Sequence, residues 1–147
     1  MGESATTTEA ASELAGDFVT AMLAADRSRG RLGISGADTE PGRAAVELTV
    51  EPDMVNGLGL AHGGFVFALA DYAFACAANS VIPGVATTEA QISFLAPARM
   101  GERLVAEAGV SFSSGRRVIV DVTVRAGERT VALFRGTGRA AATVTGE

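Results

Sequence analysis

Lysine is missing from this 147-residue chain, so all twelve cations are arginine. Cysteine and histidine occur once each, as Cys76 and His62. A lone cysteine excludes an internal disulfide, and one cysteine with one histidine cannot make a zinc-ligand set. With a net charge of −5 and no basic run, the chain is a poor nucleic-acid binder. Its apolar runs fall short of the roughly 20 residues of a membrane span. No basic segment followed by an apolar run opens the chain, and Glu3 and Glu9 do not suit a transit peptide. The expectation is a cytoplasmic protein without membrane or nucleic-acid partners. Apolar residues, at 48%, suffice for the core of one ordinary domain.

The rest of the chain is organised around residues 54–80. Met54 to Gly64 form a glycine-rich loop that holds the only histidine. Phe65 to Ser80 then read as a helix of Ala, Leu and Phe with one carboxylate, Asp71. A helix apolar all round is buried. Three and four residues from Asp71 stand Phe67, Ala68, Phe74 and Ala75. An unpaired carboxylate among them costs on the order of several kcal/mol. Asp71 therefore meets a donor from elsewhere or faces a cavity that needs a carboxylate. A structural Asp bonded to backbone is the plainer alternative.

Gly63 and Gly64 directly precede that helix. The first N–H groups of a helix lack internal acceptors, and the dipole adds partial positive charge. Glycine lets a ligand approach this backbone closely. Such a place suits a phosphate or an oxygen that gains negative charge. Eight helical residues span about 12 Å, so one chain cannot easily bring Gly63 and Asp71 onto one ligand. Two antiparallel helices across a twofold axis can.

Residues 1–8 read as a flexible lead and 9–147 as a single domain. Leu14, Phe18 and Met22 mark the packing face of a helix over 9–26. Residues 27–30 are a turn, Leu32 and Ile34 a short strand stopped by Gly36, and 38–42 a second turn. Residues 43–51 alternate, with Val46, Leu48 and Val50 on one face. After the apolar helix come strands over 86–95, 103–112, 117–125 and 130–144, the last loosened at Gly136 and Gly138. Leu104, Ala106, Ala108, Val110 and Phe112 share one face of their strand. Turns fall at 113–115 and 126–129. The fold class is α+β: an antiparallel sheet of about five to six strands, those after the helix read as a meander, wrapped around one long central apolar helix, with an extra N-terminal helix.

Asn56-Gly57, Ala61-His62-Gly63-Gly64, Ala70-Asp71 and Ala78-Asn79-Ser80 resemble the signature of hotdog-fold acyl-CoA thioesterases. The branch they are similar to is that of phenylacetic acid degradation, the PaaI type. The likeness continues through Ile92 to Ala98 and Gly101 to Leu104. It implies a homodimer with active sites at the subunit interface, which pairs into a homotetramer. It also implies hydrolysis of a short, medium or aryl-acetyl CoA thioester. Asp71 matches the catalytic carboxylate, as nucleophile or as base for a water, and Gly63 the amide that polarises the carbonyl. The resemblance further implies that Asn56 helps orient carbonyl or water and that His62 has a supporting role. Some relatives carry Thr or Ser one turn after the carboxylate; here that place is Ala75.

Coenzyme A, present only as part of the substrate, needs cations for its phosphates. Ser114, Gly115, Arg116 and Arg117 at a turn, and Arg135-Gly136 on the last strand, are the candidates; solvated strand ends are the plainer reading. Gly64, Phe67 and Phe74 complete the expected substrate contacts. No metal or separate cofactor is expected. Cys76 reads as core, and Tyr72 as part of a helix–helix interface. A hotdog dehydratase or hydratase and a non-catalytic acyl-CoA-binding domain are the competing readings.

Overall fold

The computed structural model describes residues 3–142. Residues 1–2 and 143–147 lie outside it, and with them part of the expected flexible lead and the expected strand end at Val144. The first helix, α1 (Glu3–Ala25), starts six residues before the apolar pattern does. It turns a different face inward than expected. Ala15 and Val19 are buried and Leu23 packs on the core, whereas Leu14 is 69% and Phe18 38% exposed. Both rows repeat every four residues. The row containing Ala15 has the smaller side chains and lets the helix lie closer.

A short helix, α2 (Arg29–Leu32), takes Leu32 out of the expected strand. Strand β1 (Ile34–Glu40) does not stop at Gly36. With φ of +55°, that glycine sits where the pairing register slips between Ser35 and Ala37. A bulge absorbs what reads in sequence as a breaker. Asp38, Thr39 and Glu40 are therefore strand, and the turn shrinks to Pro41-Gly42 before β2 (Arg43–Thr49). Proline followed by a glycine at φ +76° is type II turn chemistry.

After a single 3-10 turn (Pro52–Met54) comes the central helix α3 (Gly63–Asn79), then β3 (Val85–Phe94), β4 (Arg103–Ser114), β5 (Arg117–Ala126) and β6 (Arg129–Ala140). All six strands form one antiparallel sheet in the order β1-β2-β4-β5-β6-β3. Only β4, β5 and β6 form a meander. β3 does not lie beside β4 as a full meander requires. It pairs with β6, from Val85 opposite Ala140 to Phe94 opposite Ala132, and forms an edge of the sheet.

The inner face of the sheet covers α3. Val46 and Leu48, Leu104, Ala106 and Ala108, and all four valines from Val118 to Val124 are buried as their alternation requires. Leu69 and Phe74 of the helix have no exposed surface. Full burial of such side chains contributes roughly 1.5–3 kcal/mol each. Phe112 was expected inside but is 50% exposed, because the register shifts between Val110 and Phe112 and flips the strand end. Glycine at 127 and at 115, each with φ near +60°, opens a two-residue hairpin. This is the type II′ preference. Ser113 and Ser114 thus belong to β4, and that turn is Gly115-Arg116.

Strand β6 runs unbroken through Gly136 and Gly138. A Cβ at Gly136 would stand 2.6 Å from Phe74 Cδ2, and one at Gly138 2.7 Å from Phe74 Cζ. These glycines make room for a ring of the helix; they do not loosen the strand. The far end of α3 is tied down by Asn79, which is 1% exposed. Its amide donates to Ala75 O at 2.9 Å and Val85 O at 3.1 Å and accepts from Gly84 N–H at 2.8 Å and Val85 N–H at 2.9 Å. Ser80 Oγ donates to Ala77 O at 2.6 Å and accepts from Gly42 N–H at 2.8 Å.

Candidate active site

Gly63 and Gly64 do not precede α3; they are its first two residues, and His62 caps it. The Gly64 N–H donates to His62 Nδ1 at 2.9 Å. An accepting Nδ1 leaves the imidazole proton on Nε2. The His62 N–H donates to Met54 O at 2.7 Å, which fixes the loop behind it. Among the described residues the Gly63 N–H donates no hydrogen bond. It is a helix-terminal donor at the positive end of the dipole, free to meet an oxygen.

Asn56 shapes the loop in front. Its Oδ1 accepts from Leu58 N–H at 2.9 Å and Leu60 N–H at 3.2 Å, and its backbone N–H donates to Leu60 O at 2.7 Å. The carboxamide NH₂ is left for a ligand. Asn56 and Gly63 line one cleft of about 350 Å³, with Phe94, Leu95, Pro97 and Val131 on its other walls. Phe94 lies over Gly63: a Cβ there would be 3.1 Å from the ring. Glu102 holds the outer wall by accepting from Arg99 N–H at 3.1 Å and from the Arg129 guanidinium, which also donates to Pro97 O at 3.2 Å. Gly101-Glu102 of the sequence pattern thus builds the cleft.

Asp71 is not sealed in the core. In the single chain it is half-buried, on a stripe of α3 that the sheet leaves uncovered with Gly64, Phe67, Ala68 and Ala75. The expectation of a helix apolar and buried all round holds only for the sheet side. Asp71 Oδ1 accepts from Thr87 Oγ1 at 2.8 Å. Sequence reasoning missed Thr87. The only signal was a pair of threonines on the strand after the helix, and nothing local says which strand faces the carboxylate. Thr87 gives Asp71 a hydroxyl partner that Ala75 cannot.

The remaining candidates divide. Phe67 is half-buried, edge-on to Phe134 at 5.5 Å between centroids. Phe74 is wholly buried against Gly136 and offers no surface to a ligand in this chain, whereas Phe67 keeps part of its surface on the uncovered stripe. Arg135 makes two hydrogen bonds to Asp121, at 2.7 and 2.9 Å. Their hydrogen bonds and charge hold the Asp121 carboxyl below its ordinary range. Ser114, Gly115, Arg116 and Arg117 form the β4–β5 tip beside Ala140 and Val85, at the C-terminal end of α3 and far from the same chain's Gly63. There Arg117 lies directly opposite Arg139, a residue the sequence reading did not single out. Among the described residues Arg116, Arg117 and Arg139 make no ion pair. Cys76 is core, and burial pushes its thiol up to about 11. Among the described residues no group of three or more His, Cys, Asp or Glu could hold a metal, and no helix is long and apolar enough to cross a membrane.

Known proteins resemble the chain over this same region. The family model of the thioesterase superfamily matches residues 58–133. The acyl-coenzyme A thioesterase PaaI of Escherichia coli (strain K12) is 39% identical over 129 residues, covering 86% of this chain and 92% of the relative. The solved E. coli PaaI protein, from the phenylacetic acid degradation operon, superposes with a TM-score of 0.81 at 35% identity, over 89% of this chain and 96% of that one. A Streptococcus mutans protein solved bound to acetyl CoA superposes with a TM-score of 0.67 at 26% identity, over 73% of this chain and 90% of that one.

Proposed function

The chain belongs to the thioesterase superfamily, and on that footing we propose that it hydrolyses a short, medium or aryl-acetyl CoA ester at a site shared by two copies. It is a thioester hydrolase; the acyl range and the residues below are our reading. One observation carries it. An unspent Gly63 amide and a half-buried Asp71 lie on one helix with an uncovered stripe, eight residues or about 12 Å apart. Antiparallel pairing of two such helices brings Gly63 of one copy to Asp71 of the other.

In that arrangement the thioester carbonyl accepts from the Gly63 N–H, with the Asn56 NH₂ beside it. Charge that develops on the oxygen meets a donor already oriented by the helix. The Asp71 carboxylate, oriented by the Thr87 hydroxyl, attacks the carbonyl carbon or takes the proton of an attacking water. The C–S bond breaks, and the thiolate of coenzyme A leaves and takes up a proton that comes from water. If Asp71 has attacked directly, a water then cleaves the acyl–Asp71 anhydride; on either route the acid is released and the carboxylate is restored. His62 works at one remove, by capping the helix that aims the amide.

The same antiparallel pairing brings the Arg116, Arg117 and Arg139 tip beside the partner's Gly63 cleft. Like charges directly opposite on neighbouring strands repel. An anionic phosphate would relieve the Arg117–Arg139 repulsion, whereas Arg135 is already held by Asp121. A homodimer is the smallest unit with a complete site, and residues 9–147 act as its single domain. A homotetramer and a cytoplasmic setting remain part of this reading.

The test uses two variants. Asp71→Asn lowers kcat by roughly 10²–10⁴-fold with the fold intact. Gly63→Pro removes the N–H at the first helical position, where proline suits the backbone and the Phe94 ring gives by a few tenths of an ångström, and lowers kcat by about 10²–10³-fold. Co-assembled, the two inactive variants regain turnover, because a mixed dimer has one intact site. Retained turnover in Asp71→Asn, or no rescue on mixing, overturns the shared site.

A further inference from the structure

A mainly apolar cavity lies away from the Gly63 cleft, between α1 and α3. It has a volume of about 540 Å³ and is lined by Phe18, Ala21, Met22, Tyr72, Ala75 and Cys76, with Asp26 at one side. Small-molecule sites fall within roughly 300–1,000 Å³. Phe18 and Met22 belong to the α1 row that fails to pack on the core, and here both line the cavity.

Its place on α3 ties the cavity to the reacting centre. Ala75 lines it and stands one turn beyond Asp71 on the same uncovered stripe of α3. The cavity thus lies toward the C-terminal end of the helix from Asp71, away from the chain's own Gly63. Tyr72 offers the cavity its ring, while its hydroxyl is buried and turned to Asp26. Burial, with the Asp26 charge behind it, pushes this hydroxyl up to about 12, so it stays neutral.

We propose that this cavity is the acyl subsite: the acyl chain of the thioester passes Asp71 and lodges between α1 and α3, walled by Phe18, Ala21, Met22 and Ala75. This rests on Asp71 as the reacting carboxylate. The occupant is an apolar acyl group that reaches at least one helical turn, about 5.4 Å, past Asp71. A hexanoyl or aryl-acetyl group does so; an acetyl group does not. Selectivity for acyl length then comes from α1, a helix outside the sheet-and-helix core.

The experiment measures equilibrium binding of acetyl-CoA and hexanoyl-CoA to the full chain carrying Asp71→Asn, which keeps the ligand whole. Each buried methylene is worth about fourfold in affinity, so hexanoyl-CoA binds at least ~10-fold tighter. Adding Ala21→Phe, at an exposed α1 position lining the cavity, reduces that preference to about twofold or less. Met22→Ala widens the cavity and moves the preference to octanoyl-CoA, which covers the case of a poorly folding Ala21→Phe. An unchanged hexanoyl preference in both variants overturns the proposal. So does a change of native mass in place of a change in preference, since the cavity would then be a seam between copies. If Asp71→Asn still hydrolyses its ligand, the assigned role of Asp71 falls. The ratio of kcat/KM for the two esters, with and without Ala21→Phe, then still decides the cavity.

Discussion

The two ends of α3 carry polar residues of similar kinds and use them in opposite ways. At the C-terminal end Asn79 and Ser80 make six hydrogen bonds, all within the chain, and both residues are buried. At the N-terminal end Asn56 and His62 each spend one polar atom on the loop and keep another free, and the Gly63 N–H is spent on nothing among the described residues. The chain anchors the helix at one end so that the other can present unsatisfied donors to an outside oxygen. Both ends match the same family pattern, so the pattern alone does not separate support from chemistry. Hydrogen-bond accounting does.

The comparison breaks most readily at Asn79. Asn79→Ala removes four hydrogen bonds, and the two buried groups it strips, the N–H and C=O of Val85, each cost on the order of 1–3 kcal/mol. A loss of about 3 kcal/mol or more in urea unfolding is expected, with kcat of the folded fraction within about twofold of wild type. A collapse of kcat without that loss of stability would put chemistry at the wrong end.

His62→Ala is next in size. It removes the cap and costs about 1 kcal/mol. It also frees the first turn, so a roughly 10- to 100-fold fall in kcat with little change in KM follows from the misaimed amide. A fall as deep as that of Asp71→Asn would move His62 from positioning into the reaction itself.

The smallest effect lies at neither end. Arg135 keeps the Asp121 carboxyl below its ordinary value of 3.8, so the pair stabilises the fold above that pH. Its contribution is lost as pH falls through the depressed value. Arg135→Ala therefore gives a slightly lower unfolding midpoint near neutral pH, and the gap to wild type closes in acid. The KM for CoA esters stays unchanged. A raised KM would return Arg135 to the phosphates.

What is legible in the sequence is what repeats locally. The alternation of Val118 to Val124 reported their burial, and the apolar run after His62 reported the central helix. Strand order is not local. Nothing within residues 85–94 says that they pair with β6, because that register is set by a strand some forty residues later. The inward row of α1 was misread because two rows share one period and side-chain size chose between them. The bulge at Gly36 was misread as an end, since a glycine at positive φ serves either use. For the candidate site, the residue types were readable from the resemblance and their placement was not. Thr87 reaches Asp71 only through the tertiary fold, and the engagement of Arg135 depends on a cross-strand neighbour.

Phe74 and the two glycines of β6 behave as one heritable unit split between distant stretches of chain. A lineage that exchanged the ring for a smaller side chain would remove the nearest clash at position 136, whereas 138 would stay closed by Val85, whose Cγ1 would stand 2.4 Å from a Cβ there. A lineage that kept the ring would have both positions frozen. Among descendants, variation at 136 should therefore follow position 74, and variation at 138 should follow 74 and 85 together, whatever ester the enzyme comes to prefer.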